Sequence, residues 1–169
     1  MKDRTIRLII MIAALMIFLC ACGNVKTEET SKADTEDERK AADSKDTEKM
    51  MQMKIGETVV EVSWEDNEAV ESLRELCKDN PFTVQLSMYG DFEQVGSLGT
   101  ALPANDEQMT TSAGDIVLYA GDQLVIFYGS NSWAYTKLGH ITDQDSEGMA
   151  QLLGNGDVTV TISIVKESI

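Results

Sequence analysis

Two short stretches of the chain concentrate side chains able to grip a ligand. Tyr89, Phe92 and Gln94 fall in one loop, and Tyr128, Ser130, Asn131, Trp133 and Tyr135 fall in another. Aromatic faces supply an apolar floor, and the amides and hydroxyls beside them supply a few directed hydrogen bonds. That combination suits a peptide or a small molecule. Trp133 and Tyr135 also have a second reading, as rings that only cover the end of a folded core, with Ser130 and Asn131 as partners for their polar atoms. The two readings stand side by side at this level.

Other chemistry is poorly supplied. One histidine, His140, and one thiol beyond the N-terminal segment, Cys77, cannot build a standard zinc site, so no metal is expected. Gly114-Asp115-Ile116 and Gly154-Asn155-Gly156 read as turn glycines. Neither is followed by a P-loop lysine or a dinucleotide fingerprint, and no cofactor is expected. Asp91 and Glu93, two apart in a loop, read as solvated carboxylates rather than a hydrolase pair. No nucleophile is accompanied by its base. Cys77 shares helical spacing with Val70 and Leu73, which predicts a buried, inert thiol, because reactive thiols need electropositive and exposed settings.

The remaining chemistry is covalent and lies near the N-terminus. Lys2, Arg4 and Arg7 make a basic start, Leu8 to Leu19 is apolar, and Leu19-Cys20-Ala21-Cys22-Gly23 closes the run. That is the layout of a secretory signal, here residues 1–21. Its Leu-x-x-Cys ending resembles a bacterial lipobox, in which signal peptidase cuts before a diacylated cysteine. The expectation is lipidation at Cys22, with Ala21 a better residue before the cut than the Leu19 that precedes Cys20. A retained signal anchor is the alternative, but twelve apolar residues fall short of the roughly twenty that a span needs. Acyl chains contribute about 0.8 kcal/mol per buried CH2, so more than one chain anchors durably without a transmembrane helix. The expected location is the extracytoplasmic face of a cell membrane, held by lipid.

From residue 22 to about residue 49 threonine, serine, lysine and acids alternate with almost nothing apolar, nine acidic residues against six basic. Such a stretch cannot bury enough surface to offset chain entropy, which predicts a disordered tether. The chain carries a net charge of −15. An acidic surface repels phosphate backbones, so nucleic acid is not an expected partner, and the charge itself reads chiefly as solubility.

Residues 50–169 form one domain of ordinary size, expected to be a monomer. Met51, Met53 and Ile55 alternate with polar residues, Gly56-Glu57 turns the chain, and Val60, Val62 and Trp64 continue the alternation on a returning strand. Asp66 is placed to cap a helix over about 67–78, ended by Pro81. Phe82 to Met88 alternates again. Strands are predicted at 116–119, 124–128, 135–141 and 158–164, with a short helix carrying Met149, Leu152 and Leu153. Antiparallel strands with two helices, and no regular strand–helix alternation, predict a mainly β fold: a closed or nearly closed barrel with helical caps. About eight strands would leave an interior filled by side chains, so function would sit on the outside or in loops.

These residues resemble the cyclophilins. Ala69-Val70-Glu71-Ser72-Leu73-Arg74-Glu75-Leu76-Cys77 is similar to their first helix, usually TAENFRALC. Gly121-Asp122-Gln123-Leu124-Val125-Ile126 resembles the strand following GSQ, and Leu138-Gly139-His140-Ile141 resembles FGKV. Gly148-Met149 through Gly154-Asn155-Gly156 is similar to GM…VEAM…G…NG. Gly96-Ser97-Leu98-Gly99 and the block from Gly114 to Ile141 look still more like the small bacterial cyclophilin-like proteins. The resemblance covers about residues 50–165. It implies an eight-stranded antiparallel cyclophilin-like barrel capped by two short α-helices, with Trp133 near the tryptophan that lines the family's proline pocket.

Isomerase activity is not part of that implication. Prolyl isomerisation faces a barrier of about 18–20 kcal/mol because the amide is conjugated. Cyclophilins lower it with an arginine set in FHRxxPxFMxQGGD. The matching stretch here, Phe82 to Gly99, reads FTVQLSMYGDFEQVGSLG and holds no arginine. Arg74 matches a structural arginine of the helix, Lys137 offers a charge without the planar fork, and His140 aligns with the lysine of FGKV. The expectation is therefore a lipid-anchored binding module for a peptide or small ligand. A prolyl isomerase or chaperone acting on secreted chains is the alternative, and an accessory subunit docking a larger partner is a third reading.

Overall fold

In a computed structural model, residues 49–166 are described. The signal segment 1–21, Cys22 and all of the 22–49 tether except Lys49 lie outside the described residues, as do residues 167–169. Ten strands and two helices follow one another along the described chain. The order is β1 (Lys49–Ile55), β2 (Thr58–Val60), β3 (Val62–Trp64), α1 (Glu68–Cys77), β4 (Phe82–Tyr89), β5 (Glu93–Ser97), β6 (Glu107–Thr110), β7 (Asp115–Tyr119), β8 (Gln123–Phe127), β9 (Ser132–Ile141), α2 (Ser146–Leu153) and β10 (Val158–Lys166). Among the described residues no helix is long and apolar enough to cross a membrane.

The strands run antiparallel in the order β2-β1-β10-β4-β5-β8-β7-β9-β3. β2 and β3 stand at opposite ends of that path, yet only Glu61 separates them in sequence. The returning strand expected over Val60 to Trp64 is thus bent at Glu61. Its first half pairs with β1 and its second with β9. Counted as one bent strand, β2–β3 makes an eight-stranded, nearly closed barrel, the architecture the alternating pattern predicted. Trp64 Nε1 donates to the Met51 carbonyl at 3.1 Å and the Thr142 amide donates to the Glu61 carbonyl at 2.9 Å, which fastens this corner.

Alternation divides each strand between two environments. Ile116, Leu118, Leu124, Ile126 and Leu138 point inward, joining Met53, Leu86, Val160 and Ile162 in one core. Ala69, Val70, Leu73 and Cys77 of α1 and Met149 and Leu153 of α2 complete it. The barrel is filled by its own side chains. Val117, Val125 and Phe127, on the opposite face, form a second, smaller cluster with Tyr135, against which Phe92, Val95 and Met109 pack.

Two details differ from expectation. Asn67, not Asp66, caps α1: its Oδ1 accepts from the Val70 amide at 3.0 Å, while its Nδ2 donates to the Lys137 carbonyl at 2.9 Å. The cap that also tethers the helix to β9 is the one the fold uses. The glycine-rich segment after Tyr89, expected to be loop, contains β5 and β6. Gly96 interrupts the apolar alternation of β5, but its lack of a side chain is what lets that strand lie against β4. A Cβ there would collide with the Gln85 carbonyl oxygen and come within 2.6 Å of Leu86 Cδ2.

Candidate functional site

The β4–β5 hairpin turns through Gly90 and Asp91, both at positive φ (60° and 56°). The turn sets Tyr89 directly across from Glu93, and β8 sets Phe127 on the other side of Glu93. Residues opposed in this way share a face. The next row on the same outer face is Val95, Val125 and Val117, and the row beyond pairs Gln123 with Tyr119. Trp133 and Tyr135, two apart on β9, bring further rings over these rows from the side.

The result is a cleft of about 510 Å³ on the outside of the barrel. Tyr89, Tyr119, Trp133 and Tyr135 form its walls, and Val95 and Val125 its apolar floor. Tyr135 is buried and packs edge-on against Tyr119 and Phe127, with centroids 5.9 and 5.7 Å apart. Its hydroxyl accepts from Asn131 Nδ2 at 3.0 Å. Burial, then the nearby Glu93 carboxylate, pushes the Tyr135 phenol above its ordinary value. Tyr89 and Trp133 stand at the rim, 67% and 57% exposed.

Four of the eight residues singled out from sequence, Tyr89, Asn131, Trp133 and Tyr135, line this cleft. Phe92 packs into the cluster that supports it. The other three do different work. Gln94 is on β5 rather than in a loop, and strand parity turns it into the barrel, where it is fully buried. Its Nε2 donates to the carbonyls of Leu153 and Gly156 at 2.6 and 2.7 Å, which holds the end of α2. Tyr128 packs against the main core, close to Gly154, its hydroxyl buried and its phenol raised by burial and then by Asp91 and Glu93. Ser130 Oγ donates to the Thr111 carbonyl at 2.7 Å and, with Thr111 and Asn131, straps the loop ahead of β9.

The residue that sequence reasoning passed over is Glu93. It is not a solvated loop carboxylate but a strand residue 6% exposed, lining the aromatic cleft. Its Oε2 is sealed and has no hydrogen-bond partner among the described residues. Burial raises its carboxyl above the usual range. The available signal was the Gly90-Asp91 turn. Recognised as a hairpin, it makes Glu93 the partner of Tyr89 and fixes the parity of everything after it.

A second outer cleft, about 710 Å³, lies at the start of α1 and shares Tyr135. Several of its polar groups are already engaged. Asn67 caps α1, Thr136 Oγ1 donates to Asp106 and accepts from the Asn105 amide, and Lys137 Nζ lies 3.9 and 3.6 Å from Glu65 and Asp115. The smaller cleft is the better site because its buried carboxylate is not engaged.

Asp115 gathers ionic contacts from Lys137 and His140 of β9. Its Oδ2 accepts from the amide and hydroxyl of Ser112, and its Oδ1 lies 2.9 Å from His140 Nδ1. Burial opposes ionisation of this carboxyl, but the Ser112 amide, His140 and Lys137 together outweigh it and hold the group below its ordinary value. Cys77 is buried, its Sγ donates to the Leu73 carbonyl at 3.1 Å, and burial pushes the thiol up to about 11 despite Arg74 nearby. Arg74 itself lies 3.6 Å from Glu71 on α1 and does not line the aromatic cleft. Among the described residues no group of three or more His, Cys, Asp or Glu side chains is placed to hold a metal.

Comparison with known proteins returns one family. A family model described as the Cyclophilin-like family matches residues 53–163. Neither a curated protein nor a solved structure matches the chain. The matched region begins within β1 and ends within β10, so it takes in the barrel, both helices and the aromatic cleft together. The chain belongs to the Cyclophilin-like family.

Proposed function

We propose that this protein is a lipid-anchored, extracytoplasmic binding module whose aromatic cleft takes a peptide or small ligand. The observation that carries the reading is a pair of large, solvent-facing rings, Tyr89 and Trp133, at the rim of a cleft with an apolar floor. Rings that only covered the core would be buried; Tyr135 does that work beneath them. A cleft of about 510 Å³ falls in the range of ligand sites, roughly 300–1,000 Å³. Membrane attachment rests on the Leu-x-x-Cys pattern ending at Cys22, and the acidic chain leaves lipid as the anchor. The module acts as a monomer.

Binding is favoured over prolyl isomerisation by the composition of the lining, which among the described residues includes no arginine or lysine. An isomerase needs a donor at the prolyl nitrogen, and Arg74 is occupied on α1. Two measurements on the full-length chain test the proposal. A ligand found by thermal-shift screening should raise the melting temperature of the native chain and lose that effect in Trp133→Ala, while a proline-peptide assay should show no rate above background. Catalysis that disappears in Trp133→Ala would replace the binding module with an isomerase.

A further inference from the structure

Glu93 is not explained by a cleft built for neutral ligands. Its neighbours on the sheet face are Tyr89, Phe127 and Val95, and the strand offers polar positions that face solvent, such as Ser97. Three buried side-chain atoms among the described residues lack a hydrogen-bond partner: Glu93 Oε2, Gln94 Oε1 and the Tyr128 hydroxyl. Of these residues only Glu93 lines the aromatic cleft. Among the described residues it is also the one carboxylate there, and no lysine, arginine or histidine shares the lining. A buried acid without a counter-ion among aromatic rings is unfavourable in the empty protein, because burial without a compensating partner penalises charge.

We propose that the cleft recognises an alkylammonium group, seated against Glu93 with its carbon chain along Val95, Val125 and the surrounding rings. The inference rests on the binding reading above and names its ligand class. Three features converge on it. The carboxylate supplies the counter-charge. Its terminal torsion is broad and roughly two-fold, so rotation exchanges the sealed oxygen for the other one at little cost. Tyr89, Tyr119, Tyr135 and Trp133 surround it with the ring type that attracts cations to its face. The acidic chain, net −15, adds a long-range field that concentrates cations and repels anions. The same group occurs on a free amine and on a lysine side chain of a peptide.

Trp64 and Trp133 are the two tryptophans of the chain, so Trp64→Phe leaves Trp133 as the sole indole reporter. The full-length chain carrying that change is titrated with n-butylammonium, N-acetyl-lysine methylamide and its neutral counterpart N-acetyl-norleucine methylamide. Calorimetry on the unmodified chain repeats the series without reliance on the variant. The lysine derivative should bind at least ten-fold more tightly than the norleucine derivative, and Glu93→Gln should abolish that preference while norleucine binding persists. Comparable affinity for n-butylammonium would identify a free amine as sufficient; a much weaker one would identify a peptide lysine, and both support the cation site. Equal binding of lysine and norleucine, or a preference that survives Glu93→Gln, overturns the cation site and leaves the binding module intact. No saturable response to any of the three also overturns the cation site, and the binding module then stands or falls on the thermal-shift screen.

Discussion

Glu93 and Asp115 are both carboxylates on strands of the same barrel, and the protein shifts them in opposite directions. Asp115 is surrounded by donors, from Ser112, His140 and Lys137, that outweigh its burial. Glu93 has burial alone. A carboxyl whose folded-state value is raised favours folding at low pH, and that contribution is lost as pH rises through the raised value. Glu93→Gln should therefore be more stable than the native chain at pH 7. The difference should vanish below the ordinary glutamate value of roughly 4.3. Urea denaturation at pH 7 and pH 4 measures it, and a variant less stable at pH 7 would mean that Glu93 is a structural ion. Individual side chains were only partly legible beforehand. Trp133 and Asn131 announced themselves by type, since exposed rings beside amides point to recognition wherever they fall. Glu93 and Gln94, adjacent in sequence, were assigned to one loop, and their opposite fates depend on a strand parity that residue type does not carry.

At the scale of elements, β5 shows what pattern reading misses. β1, β4, β7, β8 and β10 each alternate or run apolar, and their types were evident from the residue pattern. β5 reads Glu-Gln-Val-Gly-Ser, with Glu93 and Gln94 buried and a glycine where a side chain was expected. β6 reads Glu-Gln-Met-Thr and is mostly exposed, pairing with β9 outside the barrel path. Neither has the hydrophobic signature of a strand, because one packs backbone to backbone and the other covers an outer cluster. Gly96→Ala tests the first of these. The added methyl meets the Gln85 carbonyl and Leu86, so β4 and β5 must separate, at a cost of about 1–3 kcal/mol measurable by chemical denaturation. Unchanged stability would mean that the two strands have slack. The helices were legible at the level of face and length, whereas the choice of Asn67 over Asp66 as cap depended on the Lys137 carbonyl, a partner seventy positions away.

For the whole molecule, closure rests on a short piece of chain. β2 and β3 have three residues each and meet different neighbours across Glu61. The Trp64 indole bond to Met51 ties the second half back to β1. Trp64→Phe keeps an aromatic ring but removes that bond, and should lower stability by about 1 kcal/mol in a thermal or urea melt. A change in barrel integrity, seen as lost near-ultraviolet dichroism, would show that the corner depends on this single contact. The outermost pair of the described chain, Lys49 with Lys166, has a further consequence. Because β1 is bonded along its whole length to Val160–Lys166 of β10, the two ends of the described chain emerge side by side. A few glycines would splice them, and the polypeptide could then be opened at the Gly99 bend without removing a rung of any ladder. The strand circle has no intrinsic first member, so a circular permutant would carry the same clefts on a chain that begins elsewhere.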